Sequence, residues 1–309
     1  MKLNISKIVK DRPELIMGEL LVASAEVKTT TTGRPFTALV LMDGESRINA
    51  KIWNCSTPPK EGVVISLTGK PNIYNNEVSI IIDSYDETDY PVEDYYEHGP
   101  ISADSLFANV FTLIDMIKSQ DLKDLTTSLF NKYRRLWVIK PSAVSHHHNY
   151  ITGNLQHSYE VATTGLTLAH FYKEECKYDI DLDLIIAGGL LHDLGKLWCY
   201  DFENGVSSAN IYCALQDHIV MGSYKLTETA KEMDKDLTSS WFQKLNHILI
   251  SHHGLKEYGS PVQPAIPEAV IISEADMLSF KMAAMHNELK QVDEMAQKRS
   301  FIFGNYLCK

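Results

Sequence analysis

The amino-acid sequence predicts a multidomain protein, with a small all-β barrel followed by a larger all-α domain. Short β-branched runs separated by turn residues occupy residues 15–82, and apolar residues recur at the 3.6-residue spacing of helices after Ser102. The length agrees, because 309 residues exceed the size at which one hydrophobic core usually stops growing. The expected divisions are a barrel over residues 1–85, a linker over 86–100, a helical spacer over 101–145 and a second domain over 146–309.

Five runs rich in Val, Ile and Leu predict the strands of the barrel. They read LIMGELLVASAEVKT, PFTALVLM, RINAKIW, GVVISLTGK and NEVSIII. Asp43-Gly44 and Asn75-Asn76 each lie between two runs, where such residues favour tight hairpin turns. Five strands in so short a segment are typical of the oligonucleotide-binding barrel, and an SH3-like barrel is the alternative.

Residues 83–100 differ in composition from both neighbours. Acidic residues crowd this segment together with tyrosines and with Pro91 and Pro100, so a linker that ends in a turn is expected. Ser102 then offers a helix cap ahead of amphipathic helices that continue to Tyr133. Further helices are expected at about 154–174, 181–193, 214–232, 238–252 and 266–288, with glycines marking the loops.

Composition excludes several classes of protein. No stretch approaches the roughly 18 uninterrupted apolar residues of a membrane span, and the start of the chain lacks the apolar run of a signal peptide. The 5 cysteines are widely spaced with no CxxC pair, so neither a disulfide framework nor a thiolate zinc site is indicated. We expect a soluble cytoplasmic protein with no membrane partner.

Histidine and aspartate residues cluster near the predicted helix ends. They are His157, the pair His192-Asp193, His218, the pair His252-His253, and Asp276. Imidazole and carboxylate are ligands of divalent cations, and a site built from several helices can keep one position open for water or substrate. In LLHDLGK, the apolar run ends in two adjacent potential ligands, Gly195 breaks the helix, and Lys196 stays available for an anion.

The alternative treats each histidine separately, because a lone histidine is more often a core or surface residue than a ligand. A buried His-Asp pair followed by Gly-Lys has no packing purpose that apolar residues would not serve better, so we treat the cluster as functional. We assign no functional role to the histidines that lie outside this pattern: His98, His170, His247 and His286. The triplet His146, His147 and His148 either lines the pocket or is solvated.

The order of these residues resembles the HD phosphohydrolase superfamily, which is named after the adjacent His-Asp pair. The resemblance spans about residues 145–285. It implies one metal held by His157, His192, Asp193 and Asp276. In members with extra histidines Asp193's counterpart bridges to a second metal, which here would recruit His218, His252 and His253.

Longer blocks resemble the YhaM-type 3′-to-5′ exoribonucleases, in which an oligonucleotide-binding barrel precedes a helical spacer and the HD domain. They read HHNYITGNLQHS, HHGLKEYGSPVQPAIPEAVIISEADML and, in the barrel, GRPFTALVLMDGESRINAKIW. The match therefore covers nearly the whole chain. Two segments depart from the usual family pattern: Gln156 stands where the family usually has Glu, and Met277-Leu278-Ser279 stands where it commonly has Asn-Leu-Asp.

The resemblance implies a metal-dependent exoribonuclease that hydrolyses single-stranded RNA, with single-stranded DNA as a second candidate substrate. One or two divalent ions would activate water, with Mn²⁺ as the first choice and Fe, Mg, Co or Zn as alternatives. We assign Asp193 to fixing and bridging metal and Lys196 to a nonbridging phosphate oxygen. His218 is assigned as the acid for the departing 3′-oxygen, unless it is itself a ligand.

Substrate contacts are predicted in both parts of the chain. In the barrel, Phe36 and Trp53 would stack on bases and Lys51 would contact phosphates, although barrel aromatics are more often core residues. In the helical domain the candidates are His147, His148 and Tyr258. The net charge of −11 argues against broad nonspecific nucleic-acid binding, and the nearly neutral barrel is the least repulsive place for RNA.

Two other functions stay open at this stage. The first is an HD phosphohydrolase acting on a small nucleotide, and the second is a noncatalytic RNA-binding scaffold that kept the fold. A cyclic-dinucleotide phosphodiesterase is disfavoured, because the Gly-Tyr-Pro signature expected after the His-His pair is absent. A homo-oligomer is compatible with the sequence, which does not determine the number of chains.

Overall fold

The computed structural model describes residues 1–74, 77–144, 148–290, 292 and 296–309. The chain divides into two compact units. Met1–His98 and Phe202–Val206 form the first unit, and Gly99–Asp201 and Ser207–Lys309 form the second. The exact domain, linker and spacer boundaries predicted from the sequence stay predictions.

The first unit is a closed five-stranded barrel. Its strands are β1 (Ile16–Thr29), β2 (Pro35–Met42), β3 (Arg47–Trp53), β4 (Val64–Tyr74) and β5 (Glu77–Thr88). They neighbour one another in the order β1-β2-β3-β5-β4, with antiparallel pairs throughout except for the parallel pair β3 and β5. The five strands lie where the β-branched runs predicted them, and the small all-β barrel is confirmed.

The barrel interior follows from strand alternation. In β3, Ile48, Ala50 and Ile52 are buried while their neighbours in the strand are more exposed. Helix α1 (Ile5–Asp11) adds Ile5 and Ile8 to this core. The interior is thus apolar, which leaves the outer faces of the strands for polar contacts.

The turn between β2 and β3 lies at Asp43 and Gly44, as predicted. Oδ1 of Asp43 accepts hydrogen bonds from the backbone N–H groups of Glu45 (2.9 Å) and Ser46 (2.7 Å), and Gly44 adopts a φ of 96°. The predicted turn at Asn75-Asn76 lies outside the described residues.

The second unit is built from helices. They are α2 (Ala103–Asp115), α3 (Gln120–Lys132), α4 (Arg134–Ile139), α5 (Gly153–His170), α6 (Leu182–Leu191), α7 (Lys196–Cys199), α8 (Ile211–Glu232), α9 (Ser240–Ser251) and α10 (Pro267–Leu289). Ser102 caps α2 as expected, because its hydroxyl accepts a hydrogen bond from the N–H of Ser105. No helix in the described part of the chain is long and apolar enough to cross a membrane.

Helix α6 lies at the centre of this unit, and every residue from Leu184 to Leu191 is buried. Its close contact with α5 needs glycine, since a Cβ at Gly189 would lie 2.6 Å from the Cα of Ala162. This approach brings His157 of α5 beside His192, the residue at which α6 ends.

Two short hairpins are exceptions to the expected helical pattern after Ser102. Strands β6 (Tyr200–Glu203) and β7 (Val206–Ala209) pair, as do β8 (Gln297–Arg299) and β9 (Tyr306–Cys308). The first hairpin turns at Asn204 and Gly205, both with positive φ, which is the geometry that Asn-Gly favours. That dipeptide could have predicted the hairpin.

Candidate metal centre

The predicted ligands converge at the ends of helices in the second unit. His192 and Asp193 follow the last turn of α6, and His252 and His253 follow α9. Lys196 begins α7 immediately beyond them. The remaining ligands lie within helices: His157 in α5, His218 in α8 and Asp276 in α10.

Asp193 lies at the centre of the cluster and is only 1% exposed. Its Oδ2 is 3.3 Å from Nε2 of His157 and 3.3 Å from Nε2 of His192. Its Oδ1 is 3.6 Å from Nε2 of His218 and 3.5 Å from Nε2 of His252. The two oxygens of one carboxylate therefore face two different sets of imidazoles.

These sets are two groups of potential ligands. One comprises His157, His192 and Asp276, the other comprises His218, His252 and His253, and within each group the ligand atoms lie within 4.8 Å of one another. In the first group, Oδ1 of Asp276 is 3.0 Å from Nε2 of His157. Two ligand groups that flank one carboxylate would be able to hold two divalent ions close together.

The tautomers of the five histidines are set by the groups that their Nδ1 atoms contact. At both His192 and His252, Nδ1 lies within hydrogen-bonding distance of a carbonyl three residues earlier, at 2.9 and 2.7 Å. The other Nδ1 atoms face Ser279 Oγ from His157 (3.1 Å), Asp217 Oδ1 from His218 (2.6 Å) and Tyr258 O from His253 (2.8 Å). Because Nδ1–H donates in each case, Nε2 is the atom that each ring would present to a metal.

Buried polar atoms at the centre fit a bound cation. Both oxygens of Asp193, Nε2 of His218 and Nε2 of His252 are buried without a well-formed hydrogen bond to any described residue. Burial of polar atoms without hydrogen bonds is costly, and coordination to a divalent ion would satisfy these atoms together. The donor set of imidazole nitrogens and carboxylate oxygens therefore fits a divalent metal.

Electrostatics favour the metal-binding form of Asp193 and of His252, but not that of His157. Burial opposes ionisation of Asp193, but the charge of Lys196, with neighbouring His192, outweighs it and holds the pKa of this carboxyl well below its usual range. Burial opposes the charged form of His157 too, yet the nearby carboxylates of Asp193 and Asp276 raise its pKa to about 9. Burial lowers the pKa of His252. In the metal-free chain, a proton on His157 thus competes with a metal for the same Nε2 atom.

A cavity of about 390 Å³ opens onto this cluster and is lined in part by Lys196, Tyr200, His218 and Asp276. Nζ of Lys196 is 2.7 Å from Oδ2 of Asp193, and this ion pair outweighs burial to raise the pKa of the lysine. Lys196 therefore carries a positive charge into the cavity. Tyr258 also lines the cavity, and its side chain is exposed.

The sequence analysis did not identify Glu160, which is linked to His157 through the hydroxyl of Ser279. Its carboxylate accepts a hydrogen bond from the hydroxyl of Ser279 at 2.8 Å and lies 3.1 Å from Nε2 of His148. Gln156 donates a hydrogen bond to its other oxygen at 2.9 Å. A carboxylate is thus present one turn after Gln156, and the three-residue spacing from His157 could have indicated it.

Of His147 and His148, which were predicted to contact substrate, the structure describes His148. His148 is only 4% exposed, and its ring centroid lies 5.3 Å from that of His157, so it supports that side of the cluster from behind. Contact of His148 with substrate stays a prediction. His147 lies outside the described residues.

The predicted barrel residues form one patch, which we call the aromatic patch: Phe36, Lys51 and Trp53. Phe36 pairs with Trp53 across strands β2 and β3, and their ring centroids are 5.3 Å apart. Nζ of Lys51 lies 5.8 and 5.7 Å from the two centroids. Trp53 is 45% exposed, so it is not the core residue that the alternative reading expected.

The family comparison agrees with this geometry. Residues 154–281 match the family model described as "HD domain". Residues 154–281 therefore form an HD domain, the domain of metal-dependent phosphohydrolases, and the chain is a hydrolase. An HD domain implies binding of a divalent metal, in agreement with the two ligand groups.

Curated relatives narrow the resemblance further. The chain is 27% identical over 288 residues to "3'-5' exoribonuclease YhaM" of Halalkalibacterium halodurans, covering 90% of this chain and 87% of the relative. Proteins of the same name from Bacillus subtilis and Listeria innocua are 26% and 28% identical, each covering 88% of this chain and 87% of the relative. The predicted resemblance to YhaM-type exoribonucleases is confirmed.

Proposed function

We propose that this hydrolase is a metal-dependent 3′-to-5′ exoribonuclease that cleaves single-stranded RNA. The observation that carries the proposal is Asp193, whose two oxygens face the two ligand groups, beside a cavity lined in part by Lys196 and His218. The names of the relatives support RNA as the substrate and the 3′ end as the point of attack. A cytoplasmic location is proposed with it, since all five cysteines are free thiols.

The chemistry explains why such a site is needed. A phosphodiester resists water, because its negative oxygens repel a nucleophile and the departing sugar oxygen is a poor leaving group. When bound, divalent ions supply activated water and offset the charge that develops at phosphorus. His157, His192, Asp193 and Asp276 would hold one ion, and His218, His252 and His253, with Asp193, would hold a second.

The donor set favours Mn²⁺, Fe²⁺, Co²⁺ or Zn²⁺ over Mg²⁺. Five imidazoles and two carboxylates provide more nitrogen than oxygen, whereas Mg²⁺ prefers oxygen ligands. Mn²⁺ remains our first choice because it accepts both kinds of donor.

The residues of the cavity would position and protonate the substrate. Lys196 offers its ammonium group to a nonbridging phosphate oxygen, because it is charged and lines the cavity. His218 would donate a proton to the departing 3′-oxygen when it is not coordinated. The exposed ring of Tyr258 would stack on the terminal base, and the volume of the cavity suits a single nucleotide.

The aromatic patch would bind single-stranded RNA. Trp53 and Phe36 present ring faces that any base can stack on, and Lys51 supplies a charge for the phosphates. Stacking does not distinguish RNA from DNA, so single-stranded DNA is a second substrate to test.

The test is a degradation assay with end-labelled single strands and each divalent cation in turn. A 5′-labelled RNA should shorten progressively, whereas a 3′-labelled RNA should release labelled mononucleotide at once. Asp193→Ala should abolish both, and Asp115→Ala, which removes an exposed carboxylate of α2, should not. Hydrolysis of nucleoside triphosphates with intact RNA would favour the small-nucleotide enzyme, and RNA binding without cleavage or bound metal would favour the scaffold.

A further inference from the structure

Asp217 has a backbone conformation that almost only glycine adopts. It interrupts helix α8 with φ 62° and ψ 157°, immediately before the candidate ligand His218. For an aspartate this conformation is strained, and such strain persists where the surrounding structure requires it, often at functional sites. A glycine would remove the strain, so we ask what the carboxylate of Asp217 contributes at this position.

The carboxylate of Asp217 makes one contact with the cluster. Its Oδ1 lies 2.6 Å from Nδ1 of His218, and it also accepts a hydrogen bond from the N–H of Ile219 at 3.2 Å. A carboxylate oxygen of Asp217 therefore contacts the imidazole nitrogen that points away from Asp193.

The interruption of the helix determines where His218 lies. A Cβ at Gly195 would be 1.9 Å from the carbonyl oxygen of His218, so α8 lies directly on the turn that follows Asp193. On the other side, Nε2 of His218 faces Oδ1 of Asp193 at 3.6 Å. The backbone fixes the position of His218, but rotation of the ring and its tautomer still have to be fixed.

We propose that Asp217 is a positioning residue that holds the His218 ring through Nδ1–H, so that the lone pair on Nε2 faces the second ligand group. The inference rests on the proposed function only in that this group holds a metal. Outer partners of ligating histidines act in this way in metal sites, and their loss typically lowers metal affinity or activity by about 10- to 100-fold.

A purely structural role makes a different prediction. Asp217 could merely cap the helix that restarts at His218, since it accepts the hydrogen bond of Ile219. Glycine at a helix cap is nearly as good as aspartate and would also relieve the positive φ. If capping were the whole role, Asp217→Gly should be harmless or stabilising and leave the site unchanged.

The experiment compares Asp217→Gly and Asp217→Asn with wild type in the full chain. The matched control is Asp234→Gly, because Asp234 is exposed, follows the last turn of α8 and also has a positive φ of 52°. We would measure the melting temperature, the visible absorption and affinity of bound Co²⁺, and kcat and KM on a 5′-labelled RNA.

We expect Asp217→Gly to melt at or above the wild-type temperature, to bind Co²⁺ about 10- to 100-fold more weakly at one site with an altered spectrum, and to lose kcat with little change in KM. Asp217→Asn, which keeps an acceptor, should be intermediate, and Asp234→Gly should resemble wild type. Wild-type Co²⁺ binding and kcat in Asp217→Gly would overturn the inference, as would a melting temperature well below that of the control.

The outcome is separable from failure of the proposed function. If wild-type protein does not degrade RNA, the exoribonuclease proposal fails, whereas the Co²⁺ spectra and affinities of the same variants still decide the role of Asp217.

Discussion

The hydroxyl of Ser279 donates a hydrogen bond to the carboxylate of Glu160, with 2.8 Å between Oγ and Oε2. The same hydroxyl lies 3.1 Å from Nδ1 of His157, from which it accepts. Glu160 is thus linked to the candidate metal ligand His157 through the hydroxyl of Ser279.

Removal of the linking hydroxyl should therefore weaken the first ligand group. We expect Ser279→Ala to lower Mn²⁺ affinity about 10-fold, since it removes the hydroxyl that accepts from Nδ1 of His157. Isothermal titration of the metal-free protein measures the change. Thr167→Ala is the control, because Thr167 is exposed and its hydroxyl donates to the carbonyl of Thr163 in its own helix. Equal losses of Mn²⁺ affinity in both variants would contradict a specific role for the Ser279 hydroxyl.

The stability of the metal-free protein should depend on pH through His157. Its pKa of about 9 lies above the ordinary 6.5, so its protonated form contributes full stability below pH 6.5, and that contribution is lost as the pH rises through 9. Thermal melts in EDTA should show a falling melting temperature over this interval. The rise caused by added Mn²⁺ should grow over the same interval, because metal replaces the proton. His157→Gln should lack both trends.

The turn after Asp193 tolerates no side chain at Gly195. A Cβ there would lie 1.9 Å from the carbonyl oxygen of His218 and 2.5 Å from the nitrogen of Gly222, and neither backbone atom can move cheaply. Gly195→Ala should cost about 1–3 kcal/mol in the free energy of unfolding and reduce activity by displacing His218. Urea melts and the RNA assay measure these effects.

Gly165→Ala is the control for that substitution, since the new Cβ would meet the flexible end of Ile272 at 3.0 Å. It should be the milder change. If Gly195→Ala proved equally mild and kept full activity, the close approach of α8 to the turn would not matter to the site.

The aromatic patch should affect long substrates more than short ones. Trp53→Ala should weaken binding of a long single-stranded RNA by about 1–3 kcal/mol while leaving hydrolysis of a dinucleotide unchanged. Lys51→Ala should reduce the salt dependence of binding by a slope of about 1. Fluorescence anisotropy measures both, with Tyr90→Ala as a control for loss of an exposed aromatic ring. Unchanged RNA binding in the patch variants would contradict a role for the aromatic patch in binding substrate.

The sequence predicted the features that depend on local pattern. Alternation of apolar residues located the five strands, and the order of histidines and aspartates identified the residues that cluster around Asp193. Both signals lie in residue type and spacing, so they are visible without coordinates.

The missed features depend on side-chain direction and on backbone conformation. Glu160 matters because one hydroxyl links it to His157, and Asp217 matters because α8 is interrupted at that residue. A sequence does not display either relationship. The hairpin at Asn204-Gly205 is different, since that dipeptide is itself a turn signal.

The central claim is that Asp193 joins two metal sites. Anomalous diffraction from crystals grown with Mn²⁺ tests it most directly. The account predicts two peaks, one between Asp193 and the group of His157, His192 and Asp276, and the other between Asp193 and the group of His218, His252 and His253. Crystals of an RNA-degrading preparation with no peak beside Asp193, or with manganese bound only elsewhere, would contradict it.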